Sequence, residues 1–230
     1  MRRSALHFST ESYGRSRKGT SLEWVPQRGR ECRTLLIAGV HGEEPETTVI
    51  LSRALRCLTE VSESVACVLA VNPDGLVLGT RGNAMGIDLN RNFPAANWQA
   101  EPVGYRWHLD EPERAPVAIG TGDSPASEPE TSALIRLIDQ LSPRQVIALH
   151  APLACVDDPN ESPIGKWLAE RSQLPLVTEI GYPTPGSMGS WAIERGLPLI
   201  TWEFPKDSVE SLSRDYVPIL TDILNGIAPE

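Results

Sequence analysis

Apolar residues gather in short, nearly unbroken runs separated by polar, proline-rich stretches. Four runs read as strands covered on both faces: residues 34–40 (TLLIAGV), 64–71 (SVACVLAV), 145–149 (QVIAL) and 198–204 (PLITWEF). Between them the period lengthens to that of a helix. Residues 46–58 place Ile50, Leu51, Ala54, Leu55 and Leu58 on one stripe. Residues 127–141 open with the capping-box spacing Ser127-x-x-Glu130 and then align Leu134, Leu137, Ile138 and Leu141. Residues 164–174 and 209–224 predict two more helices, the last kinked or delayed by Pro218. Strands alternating with helices predict an α/β fold: one domain over residues 1–230, with a mixed, mostly parallel β-sheet flanked by helices. In such sheets, sites form where loops leave the carboxyl ends of the strands.

Composition narrows the function classes. Of 230 residues, 40% are hydrophobic and 22% charged, which is ordinary globular composition and excludes a disordered chain. The net charge of -9 argues against nucleic acid and anionic membranes as partners, because both are held by clustered positive charge. No apolar run reaches the roughly 20 residues of a spanning helix. After Met1-Arg2-Arg3 the chain stays polar, with no apolar core of a signal peptide, so a cytoplasmic location is expected. Cys32, Cys57, Cys67 and Cys155 are widely spaced, as expected of reduced thiols. Oligomeric state is left open, a homodimer being one arrangement the sequence allows.

The chain has only 4 histidines, so a site that needs them must use a large share of the supply. His41 and Glu44 form an HxxE pair in GVHGEEP, where the first apolar run ends and a helix begins. Imidazole and carboxylate are both Zn²⁺ ligands. The same pair also reads as a turn with acidic groups complementing a helix N-terminus. His150 ends the run QVIAL, 106 residues after Glu44, and reads either as a third ligand or as a satisfied edge histidine. Two histidines and one carboxylate would leave a Zn²⁺ position open for water. His7 and His108 occupy no such place. Glu203, between Trp202 and Phe204, reads as a base raised by apolar neighbours, or as a strand-end carboxylate paired with a buried arginine. The stretch from Asn72 to Pro94 is glycine-rich and dense in planar polar groups. In it Arg81 and Arg91 suit an oxyanion or a carboxylate, Asn90 a carboxylate, and Asp88 the far side of a metal-bound imidazole.

Taken together, HGEE, NPDG, TRGN, GIDLNRNFP, LHAPLA, GYPTPGSMGSW and TWEFP resemble the zinc carboxypeptidase family, and within it the bacterial murein peptide amidases. The motifs run in family order from about Tyr13 to Pro205. The resemblance implies one Zn²⁺ per chain on His41, Glu44 and His150, with Asp88 behind the ligands. It implies Glu203 as general base and Arg81 at the scissile carbonyl. Asn90 and Arg91 would dock the substrate carboxylate, and Tyr182 would be the family's mobile tyrosine. Around Tyr182, Pro183-Thr184-Pro185 differs from the digestive enzymes. The chain is shorter than they are and shows no propeptide, from which intracellular peptide recycling is expected. The substrate so implied is a small peptide, murein tripeptide (L-Ala-γ-D-Glu-meso-diaminopimelate), cut before diaminopimelate. Asp157 and Asp158 would receive the distal ammonium of that residue, or else form a solvated acidic turn before Pro159. The rival readings are an N-acyl amino acid hydrolase of the aspartoacylase and succinylglutamate desuccinylase type, and an inactive peptide-binding relative. An anionic substrate on an acidic chain further predicts a locally basic pocket around Arg81 and Arg91.

Overall fold

A computed structural model describes residues 5–105 and 115–229. The chain runs through β1 (Glu11–Arg15), β2 (Ser21–Val25), β3 (Thr34–Ile37), α1 (Pro45–Arg56), β4 (Val65–Val68) and α2 (Pro73–Leu78). A 3₁₀ turn at Leu89–Arg91 precedes a small hairpin, β5 (Val103–Tyr105) and β6 (Val117–Ile119). There follow α3 (Pro129–Leu141), β7 (Gln145–His150), β8 (Leu153–Asp157), α4 (Pro163–Ser172), β9 (Leu176–Val177), α5 (Met188–Glu194), β10 (Leu199–Pro205) and α6 (Val209–Leu224).

Eight strands form one sheet in the order β1-β2-β4-β3-β7-β10-β8-β9. The four expected apolar strands, β4, β3, β7 and β10, are its parallel centre. Antiparallel pairs flank that centre. Each central strand feeds both faces, because successive side chains point to opposite sides. Leu36, Ile147, Ile200, Trp202 and Phe204 pack with α1, α4 and α6 on one face. Leu35, Ile37, Val146 and Ala148 pack on the other face with α3, α5 and the segment around Leu89 and Phe93. Burial on both faces explains the unbroken apolar runs.

Beyond the four apolar runs the sheet adds the outer strands β1, β2, β8 and β9, of which β1 and β9 are its edges; β1 (ESYGR) is polar and largely exposed. Two local expectations are corrected. Pro218 lies inside α6, which still runs from Val209 to Leu224. Its buried stripe of Leu212, Tyr216, Ile219, Leu220 and Ile223 outweighs one lost backbone hydrogen bond. The capping box at Ser127 does not form: the cap position is Glu128, with no side-chain cap, and Glu130 accepts hydrogen bonds from elsewhere in the fold.

From β3 the chain goes to β4 on one side, and it later returns to β7 on the other. The switch point between β3 and β7 opens a crevice at their carboxyl ends. His41 leaves β3 there, and His150 ends β7. The HGEE turn crosses the start of α2 so closely that a Cβ at Gly42 would overlap the Gly75 carbonyl. Only glycine permits that approach.

Candidate metal centre and active-site cleft

Pro45 starts α1, and Glu44 is its cap residue, yet the Glu44 side chain does not cap. Thr47 attends to the turn instead: its hydroxyl donates to the Glu44 carbonyl at 2.8 Å and accepts from the Gly39 N–H at 3.1 Å. The Glu44 carboxylate is thereby left to face the crevice. Oε1 lies 2.6 Å from His41 Nδ1, and Oε2 lies 3.1 Å from His150 Nδ1. All three side chains are buried, and one donor atom from each lies within 4.8 Å of the others. Two imidazole nitrogens and one carboxylate converging from two adjacent strand ends are a donor set that fits Zn²⁺.

Asp88 stands behind this set, 1% exposed, with Oδ1 3.2 Å from His41 Nε2. A carboxylate only accepts, so Nε2 donates to Asp88, and Nδ1, which faces Glu44, is the nitrogen that would turn to a metal once its own proton is displaced. Asp88 also takes the Asn90 N–H at 2.9 Å and the Arg81 Nε–H at 2.8 Å. Burial alone would raise its carboxyl, but Arg81, His41 and Arg91 hold it well below the ordinary range. Arg81 reaches on toward Glu43 at 3.4 Å and to 3.9 Å from Glu44 Oε1, beneath the Tyr105 ring.

Glu203 faces the same crevice from β10. Parallel pairing places it in register with His150, and its Oε2 accepts from the Leu153 N–H at 3.3 Å. The apolar neighbours expected to surround it do not: strand alternation turns Trp202 and Phe204 into the opposite face of the sheet. Its carboxyl is nevertheless raised, first by burial and then by Glu44, against the lowering effect of His150 and the Leu153 N–H.

Asn90 and Arg91 come from the 3₁₀ turn. Asn90 Oδ1 accepts from the Met188 N–H at 2.9 Å, tying this turn to α5. Arg91, 7% exposed, spends one donor on the Asn90 carbonyl at 2.7 Å. Tyr182 stands at the rim, 52% exposed. These groups border a cleft of about 970 Å³.

The expected basic pocket is a mixed one. Glu43, Glu46, Asp157 and Glu179 line the cleft in addition to Glu44 and Glu203, so carboxylates outnumber Arg81, Arg91 and Lys206. The acidity of the whole chain continues into the cleft, and positive charge is concentrated in the two arginines beside Asp88. Asp157 lines the cleft. Asp158 does not: it is 1% exposed and its oxygens take the N–H groups of Asn160 and Ser162 and the Ser162 hydroxyl. It fastens the start of α4. His7 is exposed, and His108 lies outside the described residues.

Local sequence did not reveal the scaffold behind Arg81. Asn83 donates to Glu128 at 2.7 Å and to Glu130 at 3.2 Å, and Arg17 closes the group through Glu128 and Glu130. Asn83 Oδ1 also takes the N–H groups of Met85 and Ile87, fixing the loop that carries Arg81 and Asp88. The signal available was the asparagine of TRGN; its partners lie 45 residues or more away in sequence.

Comparison with known proteins agrees with this geometry. The family model described as zinc carboxypeptidase matches residues 6–153. This chain belongs to the zinc carboxypeptidase family. It is 48% identical over 223 residues to murein peptide amidase A of Escherichia coli (strain K12), covering 96% of this chain and 92% of the relative. Murein peptide amidase A of Vibrio campbellii is 44% identical over 209 residues, covering 90% of this chain and 84% of the relative. The crystal structure of the murein-tripeptide amidase from Escherichia coli O157 superimposes with a TM-score of 0.91 at 47% identity, covering 97% and 94% of the two chains. Thrombin-activatable fibrinolysis inhibitor, at 18% identity and a TM-score of 0.72 over 95% of this chain and 67% of that one, shares the fold. All four cysteines are free, and among the described residues no helix is long and apolar enough to cross a membrane.

Proposed function

We propose that this chain is a cytoplasmic zinc amidase that hydrolyses the γ-D-Glu–diaminopimelate bond of murein tripeptide during cell-wall peptide recycling. One observation carries the chemistry: His41, Glu44 and His150 converge on one point, with Asp88 behind them and Glu203 in register with His150. The likeness to murein peptide amidases over almost the full length of both chains supports the substrate, and it disfavours the N-acyl amino acid hydrolase reading.

His41 and His150 through Nδ1, with Glu44, would hold one Zn²⁺ per chain. Bound there, Zn²⁺ supplies a Lewis acid that polarises the carbonyl and acidifies water. Asp88 keeps His41 in the tautomer that binding needs. Glu203 takes a proton from the attacking water, aided by burial that makes its carboxylate more basic, and delivers it to the leaving amine. Arg81, fixed through Nε by Asp88, turns its remaining N–H groups toward the developing oxyanion. Arg91 and Asn90 dock the carboxylate of the leaving residue, so the enzyme reads a free C-terminus. Tyr182 covers the bound peptide from the rim.

The docking role has its own test. Charge-assisted hydrogen bonds to a carboxylate contribute about 1.5–3 kcal/mol, so Arg91→Ala is expected to lower kcat/KM for the free acid about 10- to 100-fold. Steady-state kinetics on the tripeptide and its C-terminal amide should show the wild-type preference for the acid collapsing in the variant. A variant that kept the preference would remove Arg91 from carboxylate docking.

A further inference from the structure

The chemistry above leaves Glu46, Asp157 and Glu179 of the cleft without work, and of these Asp157 carries a buried oxygen that lacks a hydrogen-bond partner among the described residues. It ends β8, where antiparallel pairing sets it opposite Thr201, just as Cys155 is set opposite Glu203. Asp157 therefore shares the face of Glu203 and lies one strand over and two residues along, about 8 Å away when strand rise and strand spacing are combined. Its Oδ1 is buried and has no hydrogen-bond partner among the described residues. Leaving a buried carboxylate oxygen unpaired is costly, and such groups are retained where a partner comes from outside. The adjacent carboxylate offers no relief, because Asp158 is committed to the Ser162 turn and is itself a like charge. Together, burial and Asp158 push the Asp157 carboxyl up to about 6.

We infer that Asp157 is a specificity residue that receives the ammonium group at the far end of the leaving residue's side chain. This rests on the placement of Glu203 at the scissile amide and Arg91 at the α-carboxylate. With those two ends held, the side chain is the part left to run along β8 and β10 toward Asp157. The four carbon–carbon bonds between the two α-carbons of diaminopimelate, each about 1.5 Å, carry its distal centre about 5 Å from the first, and the ammonium lies one bond beyond. That reach, together with the length of the Asp157 side chain, spans the offset between the two strands. A neutral or anionic group at the same place would face an unpaired carboxylate, so Asp157 selects by charge as well as by length.

The test compares tripeptides ending in meso-diaminopimelate or in 2-aminopimelate, which keeps the distal carboxylate and lacks the amine. Wild type is expected to favour the amine about 10- to 100-fold in kcat/KM, and Asp157→Asn to bring that ratio close to one. Calorimetry with free diaminopimelate and free 2-aminopimelate gives the same comparison without turnover. Asp158→Asn serves as a contrast, lowering the unfolding midpoint through α4 while the amine preference persists. Equal affinities of wild type for the two free ligands, or an undiminished preference in Asp157→Asn, would overturn the assignment. If neither tripeptide were cleaved while Asp157-dependent binding of the amine persisted, the murein reading would fall and the assignment of Asp157 would stand.

Discussion

Glu203→Gln is expected to bind zinc as wild type does and to lose nearly all hydrolysis. Glutamine has the same shape and can still accept the Leu153 N–H, so the 3.3 Å contact and the register with His150 survive. What disappears is the ability to take and return a proton. Positioned acid–base groups contribute about 10²- to 10⁴-fold, so kcat should fall by that factor while KM changes little. Elemental analysis of both proteins, followed by turnover of the tripeptide, checks the two halves. A variant with undiminished turnover would remove Glu203 from the base role. One that had lost its zinc would show instead that the carboxylate supports the metal site.

Glu44→Gln should act in the opposite way, by dissolving the metal centre. Glu44 lies between the two histidines at 2.6 and 3.1 Å and supplies the only negative charge among the three donors. Burial opposes that charge, but His41 and His150 overcome it and hold the carboxyl far below its ordinary range. Removing a group that merely supports a ligand costs about 10- to 100-fold in metal affinity, so loss of a ligand carboxylate is expected to exceed that. Zinc measured after equilibration against a buffered zinc solution should drop well below one ion per chain, and turnover should drop with it. Restoration of activity at high zinc would follow from mass action. Retention of one ion at wild-type affinity would contradict the assignment of Glu44 as a ligand.

Much of this architecture is legible in the sequence, for physical reasons. A strand buried on both faces must be apolar throughout, so the four central strands announce themselves. The outer strands carry less of this demand. The edge strand β1 is mostly polar, and β8, between β10 and β9, includes Ala154 at a positive φ after a proline turn, so neither shows a strand period. The proposed metal ligands are legible because the chemistry restricts their types and because both histidines stand where apolar runs end. Glu203 is legible as an unusual residue in an apolar run, although its surroundings are not. A linear reading places Trp202 and Phe204 beside it, whereas the pleat sends them to the other face. Asp157 and Asp158 show the same limit: adjacent in sequence, they divide between the cleft and the α4 cap. The group formed by Arg17, Asn83, Glu128 and Glu130 brings together residues more than 100 positions apart, and nothing local marks them as partners.

Asn92 illustrates how finely the polar block divides its labour. Its neighbours Asn90 and Arg91 face the cleft, whereas Asn92 is fully buried and binds the 121–128 loop through Thr121, Ser124, Ser127 and Glu128. One turn of chain therefore supplies both the proposed substrate clamp and the scaffold that holds it.

The central claim is that a zinc ion on His41, Glu44 and His150 drives cleavage before diaminopimelate. Mass spectrometry of the products formed from murein tripeptide, by enzyme as purified, after chelation and after zinc is returned, tests it most directly. L-Ala-γ-D-Glu and free diaminopimelate are expected from the zinc-loaded enzyme, neither after chelation, and both again when zinc is restored. Release of alanine, or unchanged cleavage after the metal has been removed, would contradict it.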